Sequence, residues 1–287
     1  MDNEVKDFDC FFDKLIDSWL KTQVINQGDW FEGEILYCGK CRKPRRKYRD
    51  IGGRTRLTTE MCDCELKKAE EDERIEAEKK RMERSYDLRK HSLMDDKFKA
   101  STFDTFKETQ YNARALKLAK NYCNRFPEMI KKNQGLLFYG STGTGKTHLT
   151  ACIANRILDD CYSVIMTSFQ KVMKNFSPYG SPEEDAYIKR LCSVTLCIID
   201  DLGTESGTDT SLAKVYEIID ARYRSGKPTI FSTNIPLEQM QNCSDIRYER
   251  IYDRIFEMCY PIKMDGPSWR KKTAAERFEE MKNLLEE

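Results

Sequence analysis

Apolar and polar positions divide the chain into three regimes. From residue 93 onward, the short apolar runs "GLLFYG", "SVIMTS", "VTLCIID" and "KPTIFSTN" alternate with longer stretches whose apolar residues recur at helical spacing. Strands that are apolar at nearly every position are buried on both faces, so the pattern predicts an α/β fold: a parallel sheet covered by helices on both sides. Between 65 and 92, "ELKKAEEDERIEAEKKRMERSYDLRKHS" is rich in helix formers and mixed charge but has almost no apolar stripe. That predicts a solvent-bridging helical linker, since the a and d positions of a coiled coil are missing. Residues 1–64 open with Phe8, Phe11, Phe12, Leu15, Ile16, Trp19 and Leu20 at helical intervals. This stripe either packs within its own domain or offers a docking face to a partner. The expected boundaries are therefore 1–64, 65–92 and 93–287.

Composition narrows the picture. The 287 residues can form a sizeable core, and a net charge of +1 with 34% charged residues leaves any binding surface to local asymmetry. No apolar run is long enough to span a bilayer and the acidic start "MDNEVKDFD" lacks a basic signal region, so a cytoplasmic, non-membrane protein is expected. Of twelve cysteines, eight (Cys10, Cys123, Cys152, Cys161, Cys192, Cys197, Cys243 and Cys259) are scattered through helix-like and strand-like segments, as free thiols in a reducing compartment would be. The other four are paired: Cys38 and Cys41 form a C-x-x-C knuckle, and Cys62 and Cys64 a C-x-C return. Four thiolates can close a tetrahedral zinc site and supply folding free energy to a segment with little core. The shorter return spacing leaves unrelated thiols or a redox pair as alternatives. Between the pairs lie Lys40, Arg42, Lys43, Arg45, Arg46, Lys47, Arg49, Arg54 and Arg56. They suit phosphates, an acidic protein face, or only solvent.

The most specific signal follows the first apolar run of the third regime. "GSTGTGKT", from Gly140 to Thr147, matches G-x-x-x-x-G-K-[ST] between a strand-like and a helix-like stretch. Amides along Gly140, Ser141, Thr142, Gly143, Thr144 and Gly145, with Lys146, Thr147 and His148 at the helix start, make a phosphate cradle for ATP. Lys146 should reach the β- and γ-phosphates and the Thr147 hydroxyl should hold magnesium. "VTLCIIDDLG" supplies a carboxylate at a strand end: Asp200 for the magnesium hydration shell and Asp201 to polarise the attacking water. A third run ends in "STN", which places Asn234 beside the γ-phosphate or the water.

Taken together, "FKASTFDTF", "GSTGTGKTHLTACIANRIL", "LCIIDDLGTE", "FSTN", "YERIYDRIFE" and "GPSWRKKTA" resemble the AAA+ ATPases of the DnaC/IstB group over about residues 98–275. The resemblance implies a P-loop NTPase fold with Arg254, or Arg250, acting as an arginine finger toward a neighbouring subunit; ordinary exposed arginines on an amphipathic helix are the alternative. It implies that Arg270 in "SWR" contacts phosphate from the same subunit. It also implies that Lys174 and Phe176 touch single-stranded DNA, against a surface lysine and a core phenylalanine. Where related ATPases carry glutamate this chain has Asp201, whose shorter side chain leaves the role of base open. The function implied is an ATP-dependent loader of a hexameric replicative helicase onto single-stranded DNA, self-assembling with ATP and using Mg2+ and Zn2+. The helicase would dock on residues 1–64. An IstB-type ATPase acting with a transposase on duplex DNA and a P-loop small-molecule kinase are the alternatives.

Overall fold

The structure is a computed structural model that describes residues 24–174, 181–204 and 208–286. The apolar stripe from Phe8 to Leu20, together with Cys10 and Phe176, lies outside the described residues. The chain divides into two compact units, residues 1–80 and 81–287.

The first unit holds two antiparallel pairs. β1 (Trp30–Glu32) pairs with β2 (Ile35–Tyr37), and β3 (Arg46–Ile51) with β4 (Arg54–Thr59). The basic stretch between the cysteine pairs, legible in the sequence only as a loop, is thus largely a β-hairpin. Its turn is Gly52-Gly53, both at positive φ (64° and 79°), which two-residue hairpin turns require and glycine supplies without steric cost. The Asp50 carboxylate accepts the Gly53 N–H at 2.8 Å. Arg45 is buried between the carboxylates of Asp29 and Glu65. Glu65 also accepts the Cys62 N–H at 3.0 Å, the reach-back half of a capping box at the start of α1 (Asp63–Lys90). Of the residues in α1, Ser85 alone is buried, as a sequence without an apolar stripe demands.

The second unit is built on a five-stranded parallel sheet of β5 (Gly135–Tyr139), β6 (Val164–Ser168), β7 (Leu196–Leu202), β8 (Thr229–Thr233) and β9 (Cys259–Lys263), in spatial order β6-β7-β8-β5-β9. Alternation along each strand feeds two cores. Leu136, Phe138, Val164, Met166, Ile198 and Ile230 face α2 (Ala113–Asn124) and α4 (Lys146–Asp159). Leu137, Ile165, Cys197, Ile199 and Phe231 face α5 (Phe169–Met173), α6 (Pro182–Ser193), α7 (Asp209–Arg224) and α9 (Ile246–Met258). Short helices α3 (Phe126–Lys131) and α8 (Leu237–Gln241) complete the connections, and α10 (Trp269–Glu286) follows β9. The sheet covered on both faces is the expected one. β9 was not legible as a strand: Pro261 at its centre lacks an N–H, which is tolerated because the strand pairs only with β5 at the sheet edge.

A buried guanidinium ties the N-terminal ends of two strands together. Arg222, fully buried on α7, donates to the carbonyls of Leu191, Val194, Lys227 and Pro228 and to the Thr229 hydroxyl. All of a guanidinium's donors thus find neutral oxygens, which keeps this unpaired buried charge tolerable.

Candidate nucleotide-binding site and a four-cysteine cluster

β5 ends at Tyr139 and the glycine-rich loop begins, with the next helix starting at Lys146. Two glycines in it are geometrically required. Gly140 has φ 133°, and a Cβ there would lie 2.3 Å from the Met264 carbonyl oxygen; Gly143 has φ 83°, and its Cβ would lie 2.2 Å from the Ser268 hydroxyl. The loop therefore packs backbone-close against the segment joining β9 to α10. Trp269 seals that approach by donating its N–H to the Gly143 carbonyl at 2.9 Å.

Lys146, 5% exposed, donates from Nζ to the carbonyls of Gly140 and Ser141, each at 2.8 Å. Burial pulls its pKa down, while Asp201 and Asp200 pull it up. Thr147 donates its hydroxyl to Asp200 Oδ2 at 2.8 Å. Burial pushes the Asp200 carboxyl above its ordinary value; the Ser232 hydroxyl opposes this, the Asp201 charge adds to it, and Thr147 and Lys146 oppose it again.

A strand would ordinarily send Asp200 and Asp201 to opposite faces. Here β7 bulges: Ile199 pairs with Phe231 and Leu202 with Thr233, so two residues of β7 stand opposite the single Ser232 of β8. Ser232, fully buried, donates its hydroxyl to Asp200 and accepts the Asp201 N–H at 3.1 Å. Asp201 sits at φ 57°, a left-handed conformation uncommon outside glycine.

A cleft of about 450 Å³ opens above this cluster, lined by Thr142, Gly143, Gly145, Lys146, Thr147, His148, Asp201, Asn234 and Arg270, and by Thr273. The structure therefore brings together the loop, the strand-end aspartates, Asn234 and Arg270. The sequence did not assign the rest of the lining, Lys97, Phe98, Thr105, Phe106, Lys107 and Trp269. Phe106 packs on His148 with ring centroids 5.5 Å apart, and burial pulls the His148 pKa down. Asn155 on α4 fixes the incoming segment by donating to the carbonyls of Phe98 and Ser101 at 2.9 and 2.8 Å. The aromatic alternation in "FKASTFDTF" was the available signal, but nothing in the sequence placed it over the loop. Ser232 left no signal beyond its place in "STN".

Arg250, Arg254 and Lys174 are not among the residues lining the cleft. Arg254 lies over the Tyr223 ring at 4.3 Å and 3.5 Å from Asp220. Arg250 is exposed on α9, and Lys174 is exposed at the C-cap of α5.

In the first unit the sulfurs of Cys38, Cys41, Cys62 and Cys64 lie within 4.8 Å of one another. The knuckle is folded by backbone bonds: Cys38 N–H donates to the Lys43 carbonyl and Arg42 N–H to the Cys38 carbonyl, both at 2.9 Å. A zinc–sulfur length of about 2.3 Å sets sulfurs roughly 3.8 Å apart, so the four donors fit a tetrahedral zinc ion with small adjustment. The Cys41 thiol is held down to about 7, chiefly by the Lys43 backbone, whereas burial pushes Cys62 up to about 12.

A glycine-rich loop closing on a helix, a carboxylate pair at the end of β7, one strand removed from β5 in the sheet, and a parallel sheet covered on both faces define a P-loop ATPase of the AAA+ type. The chain belongs to the family of IstB-like ATP binding proteins, whose model matches residues 63–277. It is 30% identical over 157 residues to the uncharacterized protein YdaV of Escherichia coli K12, covering 54% of this chain and 58% of that one. It is 30% identical over 159 residues to the replicative helicase loader DnaC of the same organism, covering 54% and 62%. With the replicative helicase loader DnaI of Bacillus subtilis it shares 28% over 152 residues, 48% of each chain. The chain thus spans less than two thirds of each relative's length. A crystal structure of DnaI covers 61% of this chain and 94% of that one with a TM-score of 0.51 at 24% identity, a likeness of fold. No described helix is long and apolar enough to cross a membrane.

Proposed function

We propose that the protein is an ATP-dependent loader that delivers a hexameric replicative helicase to single-stranded DNA. The observation that carries this reading is the overlap of two findings. The Lys146–Thr147–Asp200 cluster has the geometry of an ATP site, and the family match spans it in a chain whose relatives include proteins named replicative helicase loaders. In this reading Lys146 exchanges its loop carbonyls for phosphate oxygens. Thr147 and Asp200 would hold magnesium, which would neutralise charge on the phosphates. Asp201, lifted by the bulge, orients the attacking water with Asn234, and Arg270 reaches the phosphates from the same chain. Arg254, with Arg250 as second candidate, acts on a neighbouring copy after leaving Asp220 and Tyr223. The four thiols hold zinc and shape residues 1–64 as the helicase-docking module, while Lys174 and Phe176 meet the single strand.

The test is helicase loading on a single-stranded circle with the purified chain and ATP. Lys146→Ala should abolish both loading and hydrolysis, since it removes the main phosphate cation. Loading by this variant at the wild-type rate would overturn the site. A second reading, regulation of a transposase on duplex DNA, rests on the IstB-type resemblance of the ATPase motifs, in line with the match to the IstB-like ATP binding family. Recovery of a transposase and no helicase from the native cytoplasm would favour it.

A further inference from the structure

Both arms of the four-cysteine cluster are tied to one buried cation. Of the basic residues between the cysteine pairs, Arg45 alone is buried. Its guanidinium forks to Asp29 through Nη1 and to Glu65 through Nη2, and the Arg45 and Asp29 side chains are 3% and 2% exposed. Each carboxylate turns its other oxygen to a backbone amide of the cluster. Asp29 Oδ1 accepts the N–H of Gly39, inside the Cys38–Cys41 knuckle, at 2.9 Å. Glu65 Oε2 accepts the N–H of Cys62, the first residue of the C-x-C return, at 3.0 Å. The turn that carries Asp29 is itself closed, since Asp29 Oδ2 accepts the Asn26 N–H at 2.9 Å and the Asp29 N–H donates to the Asn26 carbonyl at 3.1 Å. It is pressed against the knuckle, where a Cβ on Gly39 would run into the Gly28 carbonyl. The Arg45 main chain adds a further tie: its N–H donates to the Leu36 carbonyl at 2.6 Å and its carbonyl accepts the Glu60 N–H at 2.9 Å, just ahead of Cys62.

From this geometry we infer that the Asp29–Arg45–Glu65 triad positions the two cysteine pairs relative to each other and so sets the affinity of the cluster for its metal. The inference rests on the reading that the four thiols hold zinc. A tetrahedral site needs both pairs of sulfurs at a fixed separation and twist. The knuckle follows β2 and the return opens α1, so backbone bonds within either pair cannot set the distance between them. A guanidinium can, because its donors form a rigid, always charged fork that holds one carboxylate at each end; a lysine would supply only a point charge. A buried ion triad adds little net stability over apolar side chains of the same size, since desolvation offsets most of the attraction. Its distinctive contribution is geometry. Capping of α1 accounts for Glu65 alone and leaves the bond from Asp29 to the knuckle without a purpose. None of the three residues is a ligand of the cluster; they act through the cysteines, as groups behind metal ligands do.

The test uses the full-length, reduced chain. Its zinc-loaded form is competed with a chromogenic chelator, and its metal-free form is titrated with cobalt(II), whose absorption reports tetrahedral thiolate coordination. Arg45→Met should weaken zinc binding about ten- to a hundredfold, the range for lost contacts behind a metal ligand, and should lower the cobalt bands at saturation. Iodoacetamide labelling of the zinc-loaded chain, read by mass spectrometry, separates the arms. Asp29→Ala should speed labelling of Cys38 and Cys41, and Glu65→Ala that of Cys62 and Cys64, whereas simple unfolding exposes all four alike. Asp29→Asn and Glu65→Gln keep an oxygen for the amide and should return the affected pair toward the wild-type rate. The inference is overturned if Arg45→Met holds zinc as tightly as the wild type, or if both alanine variants label all four cysteines at one rate. A wild-type chain that takes up neither zinc nor cobalt would remove the zinc reading and this inference with it. Tight binding by every variant would remove this inference alone.

Discussion

Ser232 shows how one hydroxyl can set the chemistry of two carboxylates. It donates to Asp200, opposing the upward push of burial on that carboxyl, and its oxygen receives the Asp201 amide within the bulge. Asp200 has a pKa raised above 3.8, so its contribution to folding stability is fullest when it is protonated and is lost as pH rises through the raised value. Its charge at neutral pH is therefore a cost to the fold that the site requires. Ser232→Ala should let the carboxyl rise further, moving the acid limb of the ATPase pH profile to higher pH. It should also lower turnover near neutrality about tenfold or more, as expected for a lost hydrogen bond to a charged group. A pH–rate profile checks both, and an unchanged acid limb would separate Ser232 from Asp200. At this scale the sequence was informative only where function is contiguous. Gly140 to Thr147 and the aspartate at a strand end could be read from their neighbours in the chain. Ser232 could not, because its partners are supplied by β7, and nothing in the sequence marked Arg222 as buried, since its acceptor carbonyls come from distant turns.

Among the elements, α10 is the one whose removal separates binding from folding. None of its residues is buried, yet Trp269, Arg270 and Thr273 line the cleft, and its first amide is bonded to Gly143. Ending the chain after Pro267 should change unfolding stability by no more than about 1 kcal/mol, the scale of exposed changes plus one hydrogen bond. It should weaken binding of an ATP analogue at least about tenfold, through loss of a charge-assisted contact from Arg270. Chemical denaturation and calorimetric titration on the same protein measure the two effects, and undiminished affinity would remove α10 from the site. The strands of the second unit were legible because burial on both faces leaves unbroken apolar runs. β9 escaped because Pro261 and Lys263 break its apolar run and only Cys259 and Ile262 are buried, and β3 and β4 escaped because charge masked a hairpin that Gly52-Gly53 had signalled.

For the molecule as a whole, the two units differ in what holds them. Residues 81–287 have two buried cores on either side of one sheet, whereas residues 24–80 bury few apolar side chains, Leu36 and two of the four clustered cysteines among them. The second unit should fold on hydrophobic burial and the first on metal–thiolate bonds. Purified, reduced protein should contain about one zinc per chain. Chelation should abolish hydrogen-exchange protection across Ile35–Thr59 while the β5–β8 amides stay protected. Protection that survives complete metal removal would show that the cysteine cluster is not what holds the unit. The four-cysteine grouping was legible from spacing, but the burial of Arg45 between Asp29 and Glu65 was not, because those carboxylates are distant in sequence.

Arg222 fixes the end of the sheet away from the cleft. By gathering the carbonyls that precede β7 and β8, it anchors that border. Asp200, Asp201 and Asn234 stand at the opposite ends of those same two strands, so the carboxylates of the cleft are carried on strands whose far ends are pinned to one buried cation.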